Sequence, residues 1–157
     1  MTSPTFTHLR VHSEYSIVDG LVRIDDLVGA AAKDKQPALA VTDLANMFCM
    51  VRFYKAARGK GIKPIIGVDA WITNEDNREK PSRLLILAKN HTGYLQLCDL
   101  LSRAWLTNQY KGRAEFRIEW LEALATSKST LEPDADQANG LIVLSGACFG
   151  DVGQAID

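Results

Sequence analysis

Two histidines near the N-terminus form the first group of residues that can do chemistry. The segment FTHLRVHSEYSIVDG carries His8, Arg10 and His12 on alternate positions, and Asp19 follows them. Alternate side chains of a β-strand point to one face, so these three side chains are expected to lie together. Two imidazoles on one strand face are a common way to bind a metal ion. The alternative is a set of polar residues at a strand end that make ordinary hydrogen bonds.

Three aspartates and an arginine further along the chain also need an explanation. Asp19 precedes the first helical pattern and can cap that helix, which is the commoner role of such a residue. Asp43 follows a predicted strand and is either a helix cap or a site carboxylate. Asp69 interrupts the apolar run KPIIGVDAWI, so it must face a polar cavity or find a cation. Arg83 similarly begins an apolar strand.

Short apolar strands alternate with amphipathic helices. The predicted strands are Thr7–Val11, Ala38–Thr42, Ile62–Ile72, Arg83–Ala88 and Leu141–Ser145. The predicted helices cover Ile24–Ala32, Asn46–Arg58, Tyr94–Trp105 and Ile118–Ala125. Runs such as LLILA and LIVLS are continuously apolar, which is typical of strands covered on both faces. The alternation predicts an α/β fold with a parallel sheet or barrel and right-handed crossovers.

Length and composition restrict the class of protein. The chain has 157 residues and a net charge of -1, which allows one domain with a real core and gives no general attraction to nucleic acid. No signal peptide or membrane-spanning run is present in the sequence, and the three scattered cysteines are typical of reduced, mostly buried thiols. We therefore expect a cytoplasmic protein without a membrane partner. Residues 73–82 and 126–140 are expected to be polar loop excursions.

Four separated blocks of sequence resemble one known family. The blocks are HLRVHSEYSIVDG, PALAVTDLANMFCMVRFYKAARGKGIKPIIGVDAWI, LLILAKNHTGYLQL and GLIVLSG. In this order they are similar to the polymerase-and-histidinol-phosphatase (PHP) domain, specifically that at the N-terminus of bacterial replicative DNA polymerase III alpha subunits. The resemblance implies part of a distorted (β/α)7 TIM-like barrel with its site at the C-terminal strand ends. Residues 1–157 are then expected to be the N-terminal portion of a PHP domain, truncated so that a strand edge or an apolar surface is left uncovered.

The resemblance also implies where a metal site would lie, and this sequence departs from that pattern. Metal-competent members have a histidine at the positions of Arg10, Leu44 and Arg83. They have a glutamate at the position of Asp69 and a cysteine at that of Ala147. A further ligand block of the family lies beyond Asp157.

The ligands that remain are too few for the family's metal cluster. His12 and Asp19 are retained and Asp69 is a shortened substitute, while Cys148 is one residue away from the cysteine position and is not expected to be a ligand. We predict that no metal binds. In its place we expect an ion-pair network, in which Arg10 pairs with Asp19 or Asp69, Arg83 lies nearby, and Leu44 fills the volume of an imidazole.

Three functional hypotheses follow. In the first, the domain is non-catalytic, supports the polymerase and docks the proofreading exonuclease subunit and other subunits of the holoenzyme. The parent chain would be a DNA-directed DNA polymerase, a nucleotidyltransferase that uses Mg²⁺, and DNA would bind through that parent, weakly or not at all through this domain. The second is an active metal-dependent phosphoesterase or 3′–5′ exonuclease of the same fold. The third is a free-standing small α/β protein.

Overall fold

The structure is a computed structural model that describes residues 6–126 and 140–156. Its helices are α1 (Ile24–Lys33), α2 (Met50–Gly59), α3 (His91–Thr107), α4 (Ile118–Thr126) and α5 (Asp151–Ile156). Its strands are β1 (Ala38–Val41), β2 (Lys63–Ile72), β3 (Ser82–Ala88), β4 (Gln109–Tyr110), β5 (Arg113–Phe116) and β6 (Leu141–Ser145). The chain divides into two compact units, Met1–Val68 and Asp69–Asp157, and β2 contributes to both.

In the first unit two helices pack on a parallel strand pair. β1 pairs with the first half of β2, from Ala38 opposite Lys63 to Val41 opposite Ile66. Apolar residues recur at helical spacing in α1 and α2, so each helix buries one face. The buried cluster between these elements consists of Ile24, Val28, Ala31, Leu39, Val41, Cys49, Phe53, Ala57 and Ile62.

In the second unit the strand order is β4–β5–β2–β3–β6. β2 and β5 are parallel, whereas β3 with β6 and β4 with β5 are antiparallel. The β4–β5 turn is Lys111-Gly112, and both residues have positive φ, 50° and 79°. This is the backbone that a two-residue hairpin turn favours, and such a turn joins only antiparallel strands.

The α/β class agrees with the prediction, but three details were wrong. The sheet is mixed rather than parallel, because β6 runs antiparallel to β3 and because β4 and β5 form a short hairpin that was not recognised in the sequence. β6 is not covered on both faces, since Ile142, Val143 and Leu144 are exposed. Of the three free thiols only Cys49 is buried, so the cysteines are not mostly buried.

Residues 7–11 do not form the predicted regular strand. The Ala40 N–H donates to the His8 carbonyl and the Thr42 N–H to the Val11 carbonyl, both at 2.9 Å. β1 therefore advances two residues while the opposite segment advances three. The Val11 N–H is bound by the Thr42 side chain, at 3.1 Å, instead of a strand carbonyl. An extra residue of this kind interrupts the alternation of faces, so the expected common face of His8, Arg10 and His12 does not follow.

The second predicted helix begins later than its apolar pattern suggested. α2 starts at Met50, because the Asn46 side chain organises a turn before it. Its amide donates to the carbonyls of Tyr15 and Leu44, and its oxygen accepts the Phe48 N–H. Such local bonds compete with the helix. The connection between β2 and β3 covers residues 73–81. The expected loop 126–140 lies, apart from its two ends, outside the described residues.

Candidate functional site: buried carboxylates of the two units

Asp69 and Arg83 form a buried ion pair in the second unit. They lie on the neighbouring strands β2 and β3. Arg83 Nε donates to Asp69 Oδ1 at 2.9 Å, and Nη2 donates to Oδ2 at 2.8 Å. The side chains are 8% and 1% exposed. The planar guanidinium suits this two-point contact with a carboxylate, and both carboxylate oxygens take part in it.

Trp71 adds an aromatic surface beside the same arginine. The Arg83 guanidinium carbon is 4.3 Å from the centre of the Trp71 ring, and that of Arg113 is 5.3 Å from it. Because a cation is attracted to an aromatic face, this contact favours the charged guanidinium in its buried position. The Arg83 guanidinium therefore contacts both the Asp69 carboxylate and the Trp71 ring.

The residues at this position do not fit a divalent metal ion. A divalent ion about 4 Å from the Arg83 guanidinium would be repelled by roughly 8 kcal/mol at an effective dielectric constant of 20. Arginine does not lose its proton in proteins, so this repulsion cannot be relieved by titration. In residues 6–126 and 140–156, no group of three or more His, Cys, Asp or Glu side chains is arranged to hold a metal ion.

In the first unit, His12 contacts Asp19. His12 Nδ1 is 2.9 Å from Asp19 Oδ1, and the side chains are 13% and 40% exposed. Asp19 does not cap α1, whose N-cap residue is Arg23. Gly20 lies so close to Ser13 that a Cβ at position 20 would collide with the Ser13 carbonyl oxygen. The close approach of this loop therefore requires a glycine. The retained histidine and aspartate therefore lie together.

Asp43 is a buried acceptor rather than a helix cap. The N-cap residue of α2 is Cys49, while the Asp43 side chain accepts the Ser13 N–H at 2.6 Å and the Ser13 hydroxyl at 2.8 Å. The Ser16 hydroxyl donates to it at 3.2 Å. Burial is the main cause that raises the pKa of the Cys49 thiol, and the hydrogen bond to the Asp43 carboxylate is the second. The carboxylate thus joins the loop before α1 to the end of β1 through neutral donors.

The other predicted positions have simpler surroundings. Leu44 is half-buried, and its N–H donates to the Ser16 hydroxyl at 2.8 Å. Ala147 begins a short 3-10 helix with a φ of 53°, and Cys148 beside it is exposed. Arg10 and His8 are exposed, and His8 lies edge-on to the Phe6 ring. The pairing of Arg10 with Asp19 or Asp69, and the role given to Leu44, stay predictions.

A second buried carboxylate of the second unit was missed in the sequence. Glu115 is fully buried, and it lies 2.7 Å from Arg113 Nη2 and 2.9 Å from Arg78 Nη2. The Thr73 hydroxyl also donates to it, at 3.1 Å. The available signal was the alternation of Arg113 and Glu115, which places both side chains on one strand face. Arg78 could not be found in this way, because it comes from the connection between β2 and β3.

No helix in the described part of the chain combines the length and apolar character needed to cross a membrane.

Comparisons with known proteins agree with this architecture. The sequence profile of the PHP domain matches residues 8–157. The DNA polymerase III subunit alpha of Pseudomonas aeruginosa is 42% identical over 152 residues, and that of Neisseria meningitidis serogroup A is 44% identical over 154. These matches cover 97% and 98% of this chain but 12% of each relative, so the chain spans about an eighth of the relatives' length.

One solved structure supports the fold. An amidohydrolase from Chromobacterium violaceum, solved with bound sulfate and no metal, superposes with a TM-score of 0.50 at 20% identity. The superposition covers 62% of this chain and 32% of that protein. At this identity the likeness concerns the fold alone.

Proposed function

The chain belongs to the PHP domain family, and we propose that it is a non-catalytic PHP domain of a DNA polymerase III alpha subunit that acts in DNA replication. The 42% and 44% identity to alpha subunits over nearly the whole chain supports this role. We further propose that its elements belong to a (β/α)7-like barrel. The parent chain would be a DNA-directed DNA polymerase of the cytoplasm that uses Mg²⁺.

The observation that carries the non-catalytic assignment is the two-point contact between Arg83 and Asp69. A hydrolytic metal site needs carboxylate oxygens that are available to the ion and a position for an activated water. Here both Asp69 oxygens accept hydrogen bonds from one permanent cation. The local positive charge opposes a divalent ion, and the ion pair satisfies the carboxylate that such an ion would bind.

Without chemistry of its own, the domain would act by binding. We propose that it docks the proofreading exonuclease subunit and helps to hold other holoenzyme subunits, while DNA binds through the polymerase. The net charge of -1 supports weak or absent DNA binding by this domain, because nucleic-acid affinity depends mainly on a concentration of positive charge.

The catalytic part of the proposal is tested by hydrolysis assays on the 157-residue chain. The chain is incubated with a phosphodiester chromogen and with an end-labelled oligonucleotide, in the presence of Mn²⁺, Zn²⁺ or Mg²⁺, beside a metal-competent PHP enzyme as the positive control. We expect no turnover above the protein-free rate. Metal-dependent hydrolysis that copurifies with the chain and is abolished by a chelator would instead establish the phosphoesterase alternative.

The docking part is tested by mixing the same chain with the proofreading exonuclease subunit of its organism and measuring their affinity. We expect a specific complex that a denatured chain does not form. Absence of binding by the folded chain, verified by circular dichroism, would refute the docking role without affecting the non-catalytic assignment.

A further inference from the structure

The outward face of α2 carries apolar side chains that the first unit leaves exposed. Val51, Tyr54, Lys55 and Arg58 are spaced at i, i+3, i+4 and i+7, so they share one side of the helix. Val51 is 58% exposed and Tyr54 is 49% exposed. Phe48, in the turn before the helix, is 68% exposed.

The opposite side of α2 already supplies its core contacts. Phe53 and Ala57 are fully buried in the cluster that α2 shares with α1 and β1. The core of the unit therefore does not require the exposed apolar groups. Three large apolar side chains are thus exposed within residues 48–54. A group of exposed apolar side chains is a feature of interaction sites, whereas single exposed ones are ordinary.

In the same part of the chain, all of the charged residues are basic. Residues 44–68 contain five basic residues, Arg52, Lys55, Arg58, Lys60 and Lys63, and no aspartate or glutamate. Arg52 is paired with Asp25 at 2.7 Å and Glu14 at 3.5 Å. For Lys55 and Arg58, no carboxylate lies within ion-pair distance in the described part of the chain. Their charges are exposed beside the apolar groups.

We propose that this α2 face, defined as Phe48, Val51, Tyr54, Lys55 and Arg58, docks an acidic protein segment that also carries apolar side chains. The charge pattern selects an acidic partner, because unpaired basic groups favour an opposite potential and speed its approach. The apolar groups favour a protein segment over a nucleic-acid strand. Aromatic and aliphatic anchors surrounded by polar groups are typical of protein interfaces, and the aliphatic side chain of Val51 provides no surface on which a base can stack.

This inference rests on the proposed docking function and deepens it by naming the surface. The partner used in the test is therefore the proofreading exonuclease subunit. Its affinity for the 157-residue chain is measured at low and at physiological salt. The principal variant is Lys55→Glu/Arg58→Glu, which reverses both charges at exposed positions and leaves the buried face of α2 unchanged.

Two further variants make the result specific. Phe48→Ser/Tyr54→Ser removes the aromatic anchors, and Lys33→Glu/Lys80→Glu makes the same change of net charge at exposed lysines outside the α2 face. Circular dichroism and thermal melting verify that each variant is folded. We expect the two α2 variants to bind at least about tenfold more weakly, and the control variant to bind within about twofold of the original chain.

The outcomes separate this surface from the docking role itself. If the original chain binds the exonuclease subunit and both α2 variants bind equally well, the surface is wrong and the docking role stands. If the original folded chain does not bind, the docking role fails, and this inference fails with it. If the charge reversal abolishes binding of a single-stranded oligonucleotide but leaves exonuclease binding unchanged, the face binds nucleic acid and the inference is overturned.

Discussion

Asp43 in the first unit and Asp69 in the second are both almost completely buried, but their carboxylates are satisfied by different kinds of donor. Asp43 accepts hydrogen bonds from the amide and hydroxyl of Ser13 and from the hydroxyl of Ser16. Asp69 is bound at both oxygens by the Arg83 guanidinium. Neutral donors can stabilise a buried charge by hydrogen bonding, while an arginine also supplies the opposite charge.

This difference has a consequence for the two regions. At Asp43 the carboxylate accepts several separate hydrogen bonds from the two serines, and one of these bonds can be removed without removing the others. At Asp69 the arginine and the carboxylate depend on each other, because either one alone would be a buried charge without its counter-charge. Because the Arg83 guanidinium bonds both Asp69 oxygens, we expect Asp69 to be a poor metal ligand. The comparison can be tested by changing each region separately.

The largest effect is expected from Arg83→Leu. This change leaves the Asp69 carboxylate buried without its cation, so the free energy of unfolding should fall by about 3–5 kcal/mol, as measured by urea denaturation. The matched control is Arg103→Leu, which removes an exposed arginine paired with Asp99 at 2.8 Å and should cost less than about 1 kcal/mol. Equal losses in the two variants would contradict a special role for the buried pair.

The double variant Asp69→Leu/Arg83→Leu tests whether the two buried charges are energetically coupled. Removing both charges leaves no unpaired ion, so this variant should be more stable than Arg83→Leu alone. If the double variant is instead destabilised by the sum of the two single changes, Asp69 and Arg83 are not energetically coupled.

A smaller effect is expected from Asp43→Asn. The amide retains an acceptor oxygen but loses the charge that strengthens the serine hydrogen bonds, and the loss should be about 1.5–3 kcal/mol in the same denaturation experiment. Asp34→Asn is the control, because the Asp34 side chain is exposed and, within residues 6–126 and 140–156, accepts only a hydrogen bond from the Gln36 side chain. A loss at Asp43 as large as that for Arg83→Leu would remove the distinction between the two regions.

The smallest effect concerns alkaline pH and the Cys49 thiol beside Asp43. Burial raises its pKa in the folded chain, whereas an unfolded cysteine ionises near pH 8.5. The contribution of the protonated thiol to the free energy of unfolding is therefore complete below pH 8.5. It is lost as the pH rises, because only the unfolded state then gives up the thiol proton. Between pH 8.5 and 10, the original chain should lose about 1.5 kcal/mol more than Cys49→Ala. Identical pH profiles would contradict the shift.

The sequence indicated some of these residues and not others, for physical reasons. Asp69 and Arg83 each interrupt an apolar strand, and this alone requires a polar partner, although it does not identify which one. The partners of Asp43 are about 30 residues away, at Ser13 and Ser16, so no local pattern could distinguish a buried acceptor from a helix cap. An amphipathic helix can be recognised from its own residues, whereas a tertiary hydrogen bond depends on two distant segments.

The irregular segment beside β1 shows a second limit. Alternating polar and apolar residues predicted a strand at residues 7–11, and the α/β alternation was correct around it. Beside the extra residue opposite β1, the Val11 N–H donates to the Thr42 side chain instead of a strand carbonyl. The periodicity of polar and apolar residues gives no information about which acceptor the Val11 N–H takes. It therefore predicted which segments approach each other better than which side chains share a face.

The metal content of the purified 157-residue chain is the most direct test of the proposal that an ion pair has replaced the metal site. The chain is exposed to an excess of Zn²⁺ or Mn²⁺, dialysed against a chelator and analysed by inductively coupled plasma mass spectrometry, beside a metal-competent PHP enzyme treated in the same way. Because Arg83 donates to both oxygens of Asp69, we expect metal far below a stoichiometric amount. Stoichiometric zinc or manganese that survives the chelator would contradict it.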